Sequence, residues 1–117
     1  MHVLVVDDDP RILRFISSSL RLAGHTVCTA NCGEEALKLA ESDEPDVMVL
    51  DILMPKVDGF EVLRRLRAAS KMPVIAVSAH MSSAEKALSL GANCFLAKPF
   101  KPDELIKIIA SLPVPYP

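Results

Sequence analysis

Asp7-Asp8, Asp51, Ser78 and Lys98 are the residues of this chain whose types and positions can do chemistry together. Asp51 closes an unbroken apolar run, Val47-Met48-Val49-Leu50. Such a run ahead of a charge reads as a strand buried on both faces, as in a parallel sheet. The carboxylate then emerges at the strand's C-terminal end, where open α/β sheets hold their chemistry. Val3-Leu4-Val5-Val6 runs likewise into Asp7-Asp8-Asp9, Val74-Ile75-Ala76-Val77 ends on Ser78, and Cys94-Phe95-Leu96-Ala97 runs into Lys98-Pro99. An acid pair, a lone acid, a hydroxyl and a lysine, each at a strand end, make a pocket for a phosphoryl group and a metal. Adjacent acids after a buried strand repel one another, and a cation relieves that repulsion. The donors are hard oxygens in an incomplete cage, which suits Mg²⁺, with Mn²⁺ as a substitute. Asp9 needs no such role, because capping a helix accounts for its position.

Those side chains require a frame that gathers strand ends. The pattern alternates strand and helix five times, with strands near 2–7, 26–30, 46–51, 73–78 and 93–97. Helices are expected near 10–23, 33–43, 58–69, 82–91 and 102–112. Alternation of this kind predicts an α/β fold, a parallel sheet with helices on both faces. Asp9 reads as an N-cap with Pro10 at the first helical position. Ile12, Ile16, Ser19, Leu20 and Ala23 form the inward stripe that follows, and Gly24 stops it. Ser82 with Glu85 has the form of a capping box, and Gly91 ends that helix. Pro102, Asp103 and Glu104 open the last helix, whose stripe is Leu105, Ile108, Ile109 and Leu112. Pro113-Val114-Pro115-Tyr116-Pro117 reads as a tail or the start of a linker after a domain spanning 1–112.

The bulk numbers exclude several classes. At 117 residues the chain is one domain, large enough to bury a core without staples. Half its residues are hydrophobic, and the net charge of −2, without a basic stripe, speaks against nucleic-acid binding. No apolar stretch approaches the roughly 18 residues of a membrane span, and a cytoplasmic protein is expected. Cys28, Cys32 and Cys94 read as small apolar core residues. A zinc site would want Cys or His ligands at short spacings, and the sequence has none.

Taken together, Asp7-Asp8, the Asp51-x-x-Met54-Pro55 turn with Asp58-Gly59 after it, Ser78-Ala79 and Lys98-Pro99-Phe100 resemble a response-regulator receiver domain over about residues 2 to 112. The resemblance implies a flavodoxin-like, doubly wound, five-stranded sheet in order 2-1-3-4-5, a three-layer α/β/α sandwich. It implies that Asp51 accepts a phosphoryl group from the phosphohistidine of a sensor histidine kinase or histidine phosphotransfer protein. By the same analogy Asp8 and Asp51 hold Mg²⁺ directly, Asp7 acts through a water, and the Leu53 carbonyl completes the protein's share. Lys98 pairs with Asp51 when the site is empty and with a phosphoryl oxygen when it is loaded, across a cis Lys98–Pro99 bond. Ser78 donates its hydroxyl to another phosphoryl oxygen. Leu53 and His80 flank the group and set its lifetime; an apolar Leu53 cannot orient an attacking water, while His80 can.

Further expectations rest on the same likeness. A kinase docks on the first helix and the Pro99 loop, with Leu13, Phe100 and Lys101 in contact. The output face is the fourth helix, fifth strand and fifth helix, with Phe95 either a rotamer switch or a fixed packing residue. Asn93-Cys94 before the last strand, and the lack of arginine between Lys98 and Pro117, depart from the charged dimer face of winged-helix transcription factors. The output domain or target is therefore open, as is a homodimer formed on phosphorylation. The rival readings are a haloacid-dehalogenase-type phosphatase with Asp7 as nucleophile, a receiver that binds without phosphorylation, and a flavin-binding flavodoxin. Arg11, the missing cap and the three acids after the first strand weigh against the first and last of these.

Overall fold

A computed structural model describes residues 1–112; the Pro-rich segment 113–117 lies outside them. Five strands, β1 (His2–Val6), β2 (Thr26–Ala30), β3 (Val47–Asp51), β4 (Val74–Ser78) and β5 (Cys94–Ala97), alternate with five helices. The helices are α1 (Pro10–Leu22), α2 (Gly33–Ser42), α3 (Gly59–Arg67), α4 (Ser83–Ser89) and α5 (Pro102–Ser111). All strand pairs are parallel, in the order β2-β1-β3-β4-β5. The expected doubly wound, three-layer architecture is the one observed.

Burial follows the apolar runs. Every residue of β3 and β4 is buried, which is why those strands read as unbroken rather than alternating. Leu4, Val6, Met48, Leu50, Val62, Leu63 and Ala87 build a core on one side of the sheet. Val3, Val5, Ile16, Leu20, Val49, Val77, Leu105 and Ile109 build the other. Edge strand β2 keeps only Ala30 fully buried.

Two local expectations change. Ser82 makes no capping hydrogen bond, because it already lies in the helical region (φ −62°, ψ −17°). The N–H groups of Ser83 and Ala84 are met instead by the carbonyls of His80 and Met81 (2.9 and 3.1 Å), so the hydroxyl is not needed. On α1, Ser17 rather than Ser19 is buried and Ala23 is exposed beyond the helix end. The stripe runs Leu13-Ile16-Ser17-Leu20, and Leu13 packs on the core. Cys32 is exposed at the start of α2, while Cys28 and Cys94 are half-buried, so only the last two fit an interior reading.

Gly59 marks where α3 closes on the strand that ends in Asp51. Its N–H donates to the Ile52 carbonyl (2.8 Å), and a Cβ there would meet Ile52 Cα at 2.5 Å and the Asp51 carbonyl at 2.7 Å. Gly24 has φ +95° but open space around it. Urea denaturation of Gly59→Ala is expected to show a loss of about 2 kcal/mol from overpacking against backbone. Gly24→Ala is expected to lose about 1 kcal/mol, from its left-handed backbone alone.

Candidate functional site

Hydrogen bonds between the strand ends fix the site before any side chain is considered. The Asp7 N–H donates to Ala30 O (3.2 Å), Ile52 N–H to Val77 O (3.0 Å) and Lys98 N–H to Ser78 O (2.9 Å). The C-terminal ends of all five strands are joined in this way at one end of the sheet. Asp9 caps α1, accepting the Arg11 N–H on Oδ1 (2.9 Å), with Pro10 next in the chain. Asp58 caps α3, accepting the Glu61 N–H (3.0 Å). The turn between them and the strands carries the functional groups.

Asp7, Asp51 and Ser78 are buried, Asp8 is exposed, and Lys98 is half-buried. Carboxylate oxygens of Asp7, Asp8 and Asp51 all lie within 4.8 Å of one another. Both oxygens of Asp7 are engaged: Oδ1 accepts the Asp9 N–H (2.9 Å) and Oδ2 accepts the Lys98 ammonium (2.9 Å). Lys98 Nζ stands 3.6 Å from Asp51 Oδ1. The ion pair with Asp51 that the resemblance implied is present, and the direct hydrogen bond of the lysine goes to Asp7. Asp7 is the more deeply buried of the two acids, so the direct bond to the ammonium offsets the larger desolvation cost. The Lys98–Pro99 bond is cis.

Charge is unbalanced here. Burial, with the charges of Asp7 and Asp8, pushes the Asp51 carboxyl up to about 6, against the pull of Lys98 and the Leu53 N–H. Burial opposes the charge on Lys98, but its hydrogen bond to Asp7 and the nearby carboxylates outweigh that and raise its pKa. Three carboxylates and one ammonium leave a deficit of positive charge among hard oxygen donors. The residues present fit a divalent cation such as Mg²⁺ on that ground.

Ser78 Oγ accepts the His80 N–H (3.0 Å), which leaves its own hydrogen free for a ligand. Leu53 lies beside Asp51 in the chain with 47% of its surface exposed, and His80 is exposed. Phe95 is half-buried and packs on the core that includes Ala87 and Leu90.

Phe15, which the sequence reading passed over, is 58% exposed. With Ile12, Ile16, Ala79, Lys98, Pro99 and Phe100 it lines an apolar groove of about 380 Å³ beside the acids. Leu13 is half-buried against the core and lines a separate groove with Pro10 and Arg14. The signal was available, since Phe15 is an aromatic lying outside the inward stripe of an otherwise amphipathic helix.

The response regulator receiver domain family matches residues 3–110. A probable transcriptional regulator of Guillardia theta is 43% identical over 88% of the chain and 41% of its own length. The alkaline phosphatase synthesis transcriptional regulatory protein of Bacillus subtilis is 42% identical over 88% of the chain and 44% of its own length. The chain thus spans less than half the length of these two curated relatives. The receiver domain of a Francisella response regulator superposes with a TM-score of 0.88 at 38% identity, covering 93% of both chains.

Asp51 ionises near 3.8 when unfolded and near 6 when folded, so the folded chain loses stability as pH rises through that interval. The loss is complete above the folded value and amounts to roughly 2–3 kcal/mol without metal. In a metal-free thermal melt at about pH 8, Asp51→Asn is expected to raise Tm by several degrees, the gain vanishing near pH 4. A Tm difference independent of pH would contradict the assigned charge imbalance.

Proposed function

The chain belongs to the response regulator receiver domain family, and from that premise we propose that Asp51 is its phosphoacceptor. The donor is the phosphohistidine of a sensor histidine kinase or a histidine phosphotransfer protein. The observation that carries this reading is the buried Asp51 carboxylate between an acid pair and a lysine, with a free hydroxyl hydrogen at the next strand end. An Asp51 oxygen attacks phosphorus as the phosphorus–nitrogen bond to the donor imidazole breaks, and the imidazole leaves with a proton. Asp51 needs no general base, since most of it is ionised at neutral pH even when shifted to about 6.

Each neighbour has a part. Asp8, exposed and, among the described residues, with no hydrogen bond holding its oxygens, is suited to bind Mg²⁺ directly with Asp51 and the Leu53 carbonyl. Asp7, with both oxygens engaged, is suited to act through a bound water. The cation, when bound, neutralises charge on nucleophile and phosphoryl oxygens alike. Lys98, hydrogen-bonded to Asp7 and 3.6 Å from Asp51 at rest, pairs with a phosphoryl oxygen as a point charge once the site is loaded. Ser78 donates its hydroxyl to another. No separate substrate is turned over, so the protein is a switch that assists its own phosphorylation and slow dephosphorylation.

Phosphorylation biases an output surface formed by α4, β5 and α5. The link is physical: Ser78 and Lys98 end the adjacent strands β4 and β5, and Lys98 N–H is bonded to Ser78 O. The relatives named as transcriptional regulators extend well beyond the matched segment, which supports control of an attached or separate output partner. No described helix is long and apolar enough to cross a membrane, which agrees with a cytoplasmic site of action. The capping role of Asp9 disfavours the phosphatase alternative, because its carboxylate accepts the Arg11 N–H at the start of α1.

Acetyl phosphate with Mg²⁺ is expected to add one phosphoryl group to the wild type, read by intact mass, and none to Asp51→Asn. A phosphoryl group retained in Asp51→Asn would move the nucleophile elsewhere. Lys98→Ala is expected to keep at most a small fraction of the phosphoryl occupancy. With the donor removed, Leu53→Asn is expected to shorten the phosphoryl lifetime by roughly 10-fold, because an amide can orient an attacking water. A wild-type half-life of only seconds would count against the role given to Leu53.

A further inference from the structure

We propose that His2, Cys28 and Asp43 form a second metal site, for zinc or a similar borderline divalent ion, at the end of the sheet remote from Asp51. Among the described residues, two groups bring three metal-ligating side chains within 4.8 Å of one another: the acid cluster and this one. The two differ in chemistry. Imidazole nitrogen, thiolate sulfur and carboxylate oxygen make a mixed donor set that favours Zn²⁺ over Mg²⁺. One thiolate and one carboxylate also cancel the ion's charge, and water completes a four-coordinate sphere.

The site is assembled by the fold rather than by local spacing. Parallel pairing sets His2 against Thr26 and Leu4 against Cys28. Alternation then puts His2, Thr26 and Cys28 on the same face of the sheet. Asp43 reaches them from the C-cap of α2. This is why short-spacing rules find no zinc motif in the sequence.

The ligands are held from behind. His2 is anchored through both backbone groups: its N–H donates to Asp46 Oδ2 (2.7 Å) and its carbonyl accepts the Asp46 N–H (2.7 Å). Its Nδ1 lies 2.7 Å from Thr26 Oγ1, which leaves Nε2 to face Asp43 Oδ2 at 2.7 Å. A metal-bound imidazole carries its one hydrogen on the other nitrogen, and Thr26 is placed to accept it. Cys28 Sγ lies within 4.8 Å of ligand atoms of both His2 and Asp43. Binding forms sulfur–metal, nitrogen–metal and oxygen–metal bonds, and the thiol proton passes to solvent.

At the His2–Asp43 contact the required adjustment is small. A tetrahedral ion with bonds of about 2.0–2.3 Å sets its donors about 3.3–3.6 Å apart. The His2–Asp43 contact therefore has to open by about 0.6 Å, and the Asp43 side chain, 44% exposed, is free to turn. The ion would tie β1, β2 and the end of α2 together. At about 3.3 Å per residue, β1 separates it from Asp7 by more than 15 Å, so it acts independently of phosphorylation.

The test uses the tag-free chain with saturating Mg²⁺ and added Co²⁺, read by absorption. One equivalent of Co²⁺ is expected to give a near-ultraviolet thiolate-to-metal band and an intense tetrahedral visible band, both lost when Zn²⁺ is added. Cys28→Ser is expected to abolish the near-ultraviolet band, while Cys32→Ser and Cys94→Ser retain it. His2→Gln is expected to lose the tetrahedral signature, so the assignment does not hang on one variant folding. Thr26→Val is expected to weaken Zn²⁺ binding by about 10-fold. Cys28→Ser is expected to take a phosphoryl group from acetyl phosphate as the wild type does, which separates this site from the one at Asp51. Absence of a thiolate band, or its survival in Cys28→Ser, would overturn the proposal.

Discussion

Repulsion among Asp7, Asp8 and Asp51 is the constraint on which the functional end of this molecule turns. A single ammonium, from Lys98, is placed among them, and it is bonded to Asp7 rather than to the most central acid. The result is a carboxylate at Asp51 that is costly to ionise in the absence of further positive charge. A structure selected only for stability would have removed one acid or added a second cation. The retained imbalance is reasonable where the site must accept a cation and a phosphoryl group and respond to both.

The sheet makes that imbalance tolerable. Strands β3 and β4 are buried throughout, so the apolar cores on both sides hold the charged ends in fixed positions. Capping by Asp9 and Asp58, and the close approach of Gly59 to Ile52, set where the loops leave the sheet. Arg67 adds a brace away from the acids. Its guanidinium donates to the Gly91 carbonyl (3.0 and 2.8 Å) and to Asn93 Oδ1 (3.1 Å). The same Asn93 oxygen accepts the Val74 N–H (2.9 Å), tying α3 and the α4–β5 turn to the sheet. Movement at the strand ends therefore has a defined frame to act against.

Much of this was legible in the residues themselves. Unbroken apolar runs located the strands, and the residues that end them located the acids, the serine and the lysine, because burial and function both depend on the same strand termini. What local pattern could not carry is partner choice across the sheet. The preference of Lys98 for Asp7 depends on relative burial of two acids on different strands. The exposure of Phe15 depends on how α1 is rotated against the sheet, which its own sequence does not fix. Ser82 looked like a cap until the turn before it supplied carbonyls in its place. The meeting of His2, Cys28 and Asp43 depends on strand pairing and on a helix end, both invisible to spacing rules.

The central claim is that Asp51 sits in an electrostatic site built to be completed by a divalent cation. Carbon-13 NMR of the Asp51 side-chain carboxyl, titrated over pH with and without Mg²⁺, tests it most directly. Without Mg²⁺ the account predicts a midpoint near 6, moving downward when Mg²⁺ is added, because the cation stabilises the ionised form. A midpoint near 3.8, the ordinary value, with no response to Mg²⁺ would contradict it.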